Sequence, residues 1–143
     1  MPVTSEVLEK RLQYMQLDYE RVYPFAVEKM AISCEIAAQR ANLKVDQIDL
    51  IIPHQTGRNI ILDAARKLEQ PVEKFFINVD HTGNTSGASI PIALDEANRA
   101  GLLHDGDLLL MPAIGGGMAW AAVCVRWYDY RGQSSNGDFR NEA

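Results

Sequence analysis

Cysteine is scarce in this chain, and the two present are poorly placed for a metal or a disulfide. Cys34 and Cys124 stand far apart, with no CxxC pair and no Cys/His spacing. They read as reduced, buried thiols that behave as small hydrophobes. Clusters of Lys and Arg are missing as well. With a net charge of −5, the chain lacks the positive surface that neutralises phosphates, which argues against a nucleic-acid partner. The longest apolar runs, such as Leu108 to Ile114, fall far short of a bilayer span, so no membrane partner is expected. The opening residues Met1 to Glu6 have neither the basic start nor the apolar core of a signal peptide, and a cytoplasmic location is expected. Internal repeats and linkers are also absent from residues 12–127.

What is present suits one globular domain: 143 residues, 47% hydrophobic and 23% charged. Residues 1–11 read as a polar, helix-compatible N-terminal extension, 12–127 as the domain, and 128–143 as a flexible polar tail. Tyr14 to Tyr19 alternates bulky and polar side chains and predicts a short strand. Val27, Met30, Ala31, Cys34, Ala37, Ala38 and Ala41 then recur at helical spacing, after a tolerated Pro24 and up to a capping Asn42. Ile48 to Pro53 predicts a strand, Ile60 to Leu68 a second amphipathic helix, and Phe75 to Val79 another strand. A third helix is predicted from Ser86 to Arg99. Asp107 to Met111 and Met118 to Trp127 predict a closing antiparallel pair, broken by Gly115-Gly116-Gly117. Both faces of the last strand are apolar, so it should be covered on both sides. Strands alternating with helices predict an α/β fold with a mixed sheet.

Two loops put polar groups directly after an apolar strand, where layered α/β folds bind ligands. They are Pro53-His54-Gln55-Thr56-Gly57 and Gly83-Asn84-Thr85-Ser86-Gly87-Ala88-Ser89. A histidine and an asparagine amide together offer two N–H donors to one oxygen, which stabilises charge developing on a carbonyl. On local pattern alone, His54 equally suits capping of the next helix, and Asn84 an Asx turn or an N-cap. His81 and His104 lie in polar loops and read as solvated turn residues. Ser86 and Ser89 read as a cap and a small packing residue.

These two loops, followed by Gly115-Gly116-Gly117-Met118-Ala119-Trp120, closely resemble the C-terminal half of β-ketoacyl-acyl-carrier-protein synthase III. Phe25-Ala26-Val27 and Ala93-Leu94-Asp95-Glu96-Ala97 share the likeness, which runs in order over residues 12–127. The resemblance implies one half of the thiolase fold, with a mixed five-stranded sheet and helices packed on both faces. It implies a decarboxylative Claisen condensation of a malonyl thioester with an acyl thioester, in fatty acid or polyketide biosynthesis. His54 and Asn84 match the family's catalytic pair. Gln55, Gly57, Arg58, Gly115, Gly116, Gly117 and Met118 fall where substrate is bound. No cofactor is held permanently; the phosphopantetheine thioester of CoA or acyl carrier protein is the substrate carrier.

The family's nucleophilic cysteine, which sits at the start of a buried helix in the N-terminal half, has no counterpart here. Cys34 lies mid-helix and Cys124 mid-strand, without the helix N-terminus that activates a thiol. Family members commonly carry asparagine where Gly57 stands, phenylalanine where Met118 stands, and a basic residue where Asn59 stands. Arg58, Arg66 and Lys67 are the residues left to meet an acidic carrier protein. The apolar start of the third helix, Gly87 to Leu94, calls for a partner: a Cys-bearing N-terminal half or a second copy. Two other readings fit the same motifs. One is a non-catalytic thiolase-fold domain for binding or dimerisation, and the other an ester- or amide-forming acyltransferase of the same fold.

Overall fold

The computed structural model describes residues 3–14 and 17–128. In chain order the elements are α1 (Ser5–Glu9), α2 (Tyr19–Arg40), β1 (Leu50–Ile51), α3 (Arg58–Lys67), α4 (Val79–Thr82), α5 (Ser89–Arg99), β2 (Leu108–Gly115) and β3 (Ala119–Arg126).

Helix α2 begins where the Asp18 side chain accepts the Arg21 N–H at 3.3 Å. Pro24 sits inside it and cannot donate to the carbonyl one turn back, yet the helix continues through Arg40. Ala26, Met30, Ala31, Cys34, Ala37 and Ala38 form its buried stripe, while Val27 is half-buried and Ala41 exposed. The small side chains of that stripe bring the helix close to the sheet. Helices α2, α3 and α5 all end in the same device. Past each helix a residue turns left-handed, at Asn42 (φ 57), Glu69 (φ 53) and Gly101 (φ 72). The following N–H groups of Leu43, Gln70 and Leu102 then return to Ala38, Ala65 and Ala97 carbonyls.

Among the described residues the sheet has three strands, in the order β1-β2-β3. β1 runs parallel to β2, with Leu50 beside Leu109 and Ile51 beside Leu110. β2 and β3 form the predicted antiparallel pair, from Leu108 opposite Arg126 to Gly115 opposite Ala119. The two-residue period of strands divides the core. Ile51, Leu110 and Ile114 face α2 and α3, whereas Leu50, Ile52 and Leu109 meet Ala93 and Ala97 of α5. Helices therefore lie on both faces, as expected.

Among the described residues the expected five strands are not reached. Tyr19 opens α2 rather than closing a strand, Leu17 and Asp18 are irregular, and Met15 and Gln16 lie outside the described residues. The predicted strand at Phe75 to Val79 shrinks to one parallel bridge, Ile51 to Phe75. Its later N–H groups, those of Asn78 and Val79, bond to the Gln55 side chain instead of a strand. The third helix starts three residues later than predicted, because Ser86–Ala88 form a 3-10 turn before α5. Coverage of β3 on both sides is also overturned. Trp120, Ala122 and Cys124 lie on the α2 side, where Trp120 meets Phe25 edge-on at 5.4 Å, but Val123 on the other side remains 51% exposed. The tail from residue 129 onward lies outside the described residues.

Candidate active site

His54 is fixed by the sheet. The parallel register of β1 and β2 continues past the strand end, with Ile52 N–H on the Leu110 carbonyl and His54 N–H on the Pro112 carbonyl, both at 2.8 Å. Thr56 N–H closes back on the His54 carbonyl at 2.9 Å. The residue is only 9% exposed. Its imidazole has no hydrogen-bond partner and no ion pair among the described residues. Burial holds its pKa below the ordinary histidine value, so the ring is neutral at physiological pH.

Asn84 reaches the same place from the other loop. Helix α4 ends at Gly83, whose φ of 68 suits glycine, and Asn84 follows it. The Asn84 Oδ1 accepts the Ser86 N–H at 2.9 Å in an Asx turn. That bond occupies the acceptor end and leaves both Nδ2 hydrogens free to donate. The local turn and a role as donor are thus compatible.

His54 and Asn84 line one cleft of about 860 Å³. Gly115, Gly116 and Met118 line it too, and Val22, Ala26, Ile60, Ile90 and Ile114 make most of its wall apolar. Thr56, also in the lining, has a buried hydroxyl without a hydrogen-bond partner among the described residues. An apolar cleft with two neutral donors in its lining suits a thin ligand bearing a carbonyl.

Four of the predicted substrate contacts lie outside this lining. Gln55 is fully buried and spends its amide on backbone groups: Nε2 donates to the Pro53 and Phe76 carbonyls at 2.9 and 3.0 Å, and Oε1 accepts the Asn78 and Val79 N–H at 3.0 and 3.1 Å. Gly57 is the N-cap of α3, in extended conformation. Arg58 is exposed and paired with Asp80. Gly117 holds the β2–β3 turn at φ 121, whereas a Cβ at Gly115 or Gly116 meets nothing within 4 Å in this chain. Only Gly117 of the three requires glycine for its own conformation.

Neither cysteine lines the cleft. Burial pushes the Cys34 thiol up to about 12, and partial burial raises that of Cys124. His81 and His104 sit at the surface against Glu96 and Asp107. Sequence reasoning missed Ser89 as a polar partner: its Oγ accepts the Gln55 N–H at 2.6 Å across 34 residues. No local pattern reports such a contact. Thr56 was missed as well, though its place beside His54 is a signal.

Solved structures define the class. The fold matches the crystal structure of 3-oxoacyl-[acyl-carrier-protein] synthase III from Aquifex aeolicus VF5 with a TM-score of 0.78 and 43% identity, over 80% of this chain and 37% of that one. The corresponding enzyme of Pseudomonas aeruginosa PAO1 matches at TM-score 0.80 and 32% identity, over 90% and 39%. These are thiolase-fold condensing enzymes.

The family follows from the sequence match. The model of the 3-oxoacyl-[acyl-carrier-protein] synthase III C-terminal domain matches residues 38–127, and the chain belongs to that family. A curated relative, the β-ketoacyl-[acyl-carrier-protein] synthase III of Roseiflexus sp. strain RS-1, is 44% identical over 127 residues, which are 89% of this chain and 39% of the relative. The chain thus spans less than two-fifths of that relative's length.

Proposed function

We propose that this chain supplies the His54/Asn84 donor pair for decarboxylative condensation of a malonyl thioester with an acyl thioester. The carrying observation is that two neutral donors, from loops thirty residues apart, line one apolar cleft. The malonyl thioester carbonyl oxygen lies between a ring N–H of His54 and Nδ2–H of Asn84. As the bond from Cα to the carboxylate breaks, CO₂ leaves and the electron pair moves onto that oxygen as an enolate. Neutral donors already in place stabilise this charge, and removing one such donor typically costs about 10²–10³ in rate. The enolate carbon then attacks an acyl group carried on a cysteine thiol, forming the new C–C bond and releasing thiolate.

That thiol comes from outside the cleft described here, from a Cys-bearing N-terminal half in the same protein or a separate subunit. CoA or acyl carrier protein delivers the thioesters; no cofactor is bound permanently. The arrangement in Asn84 supports this over simple loop capping, because its Oδ1 alone serves the turn.

The exposed Val123 on an uncharged strand favours a second reading, a binding or dimerisation domain without catalysis. Titration of the ¹⁵N-labelled chain with malonyl-CoA separates the two. The condensing role requires shifts of the His54 ring and the Asn84 side-chain amide, and weaker binding in His54→Ala and Asn84→Ala. Binding that leaves both residues unmoved would support the scaffold and sink the enzymatic role.

A further inference from the structure

Two loops must keep their donors at a fixed separation, yet the sheet does not join them directly. The last backbone link between the His54 segment and the 76–79 segment, among the described residues, is Phe76 N–H to the Ile51 carbonyl at 2.9 Å. Beyond it the connection passes to one side chain. Gln55 Nε2 donates to the carbonyls of Pro53 (2.9 Å) and Phe76 (3.0 Å), and its Oε1 accepts from the N–H groups of Asn78 (3.0 Å) and Val79 (3.1 Å). Both donors and two acceptor sites are used, so the amide has a single acceptable orientation. A flip would set its NH₂ against two N–H groups and its oxygen against two carbonyls.

The backbone of the same residue makes the second tie, from Gln55 N–H to Ser89 Oγ at 2.6 Å. Asn78 and Val79 precede Asn84, and Ser89 follows it. The residue next to His54 therefore grips the Asn84 loop at both ends. Asn78 closes this loop further through Nδ2 to Glu96 of α5 at 2.9 Å. His54 is meanwhile held from its other side by the Pro112 carbonyl.

We infer that Gln55, with Ser89, is a positioning residue that sets the separation of His54 and Asn84, without touching substrate itself. This rests on the reading of His54 and Asn84 given above. A one-ångström misplacement of a reacting group lowers rates by as much as about 10²-fold, so a brace of this kind governs the donor pair.

The test uses the full chain, with Gln55→Leu and Ser89→Ala. Without ligand, each variant should shift the His54 ring and Asn84 side-chain amide resonances while the Ile61 methyl signals stay in place. If Gln55→Leu does not fold, Ser89→Ala, which removes one acceptor, decides by the same signals. A folded variant with both residues unmoved overturns the inference. With malonyl-CoA, Ser89→Ala should bind roughly tenfold more weakly, with little further loss when added to His54→Ala. Equal loss in both backgrounds means a general effect on the fold and also overturns the brace. If the unaltered chain gives no response at His54 or Asn84, the condensing role fails, while the ligand-free shifts still decide the brace.

Discussion

Tyr23 donates its hydroxyl to Asp63 at 2.6 Å and so ties α2 to α3, the two helices that share one face of the sheet. Hydrogen bonding to the carboxylate, aided by burial, raises the Tyr23 pKa to about 12. A raised pKa means the folded chain keeps a proton that the unfolded chain loses. The stabilisation is therefore complete below about pH 10 and disappears as the pH rises toward 12. Tyr23→Phe should lower stability by about 1–2 kcal/mol at neutral pH and flatten the alkaline decline. Urea unfolding across pH checks both.

His54 has the opposite linkage. Burial depresses its pKa below 6.5, so the unfolded chain binds the extra proton first as the solution is acidified. Stability from this residue is present above about pH 6.5 and declines as the pH falls through the folded value. Nuclear magnetic resonance titration of the ring should give a midpoint under the ordinary histidine value. His54→Phe should show a shallower loss of stability between pH 7 and pH 5 than the unaltered chain.

Strand β3 carries no charge from Ala119 to Val125 and forms the edge of the sheet among the described residues, with Val123 about half exposed. Unprotected edges of this kind pair with other chains. Without a Cys-bearing half, the chain should self-associate at micromolar concentration. Val123→Lys should return it to a monomer in sedimentation analysis. A monomeric unaltered chain would count against any partner on this face.

The glycine turn separates conformation from access. Gly117→Ala places a side chain at φ 121 and should cost about 1–2 kcal/mol in stability. Gly116→Ala meets open space and should leave the unfolding midpoint almost unchanged. Because Gly116 lines the cleft, the same change should weaken malonyl-CoA binding.

Cys34 should be inert. Its thiol is fully buried in α2 and pushed up to about 12, so native protein at pH 8 should resist iodoacetamide at this position. Incubation with an acyl-CoA should leave both cysteines without a thioester by mass spectrometry. A stable acyl group on Cys34 or Cys124 would contradict the assignment of the nucleophile to another segment.

Helical periodicity marked the buried stripe of α2 with its Asn42 stop, and apolar runs around a glycine turn marked the β2–β3 pair, because each depends on neighbours a few residues away. The His54 and Asn84 loops were legible for the same reason, as short motifs with donors in fixed order. Other features depend on distant partners. Phe75 to Val79 has the composition of a strand, but its N–H groups meet Gln55 rather than a neighbouring strand. Gln55 looks like a site residue in a motif and is hidden as a brace. Apolar residues on both faces of β3 implied two covered faces, yet Val123 is half exposed. Periodicity and turn chemistry are properties of adjacent residues. Burial, strand pairing and hydrogen bonds across dozens of positions exist only once the chain has folded.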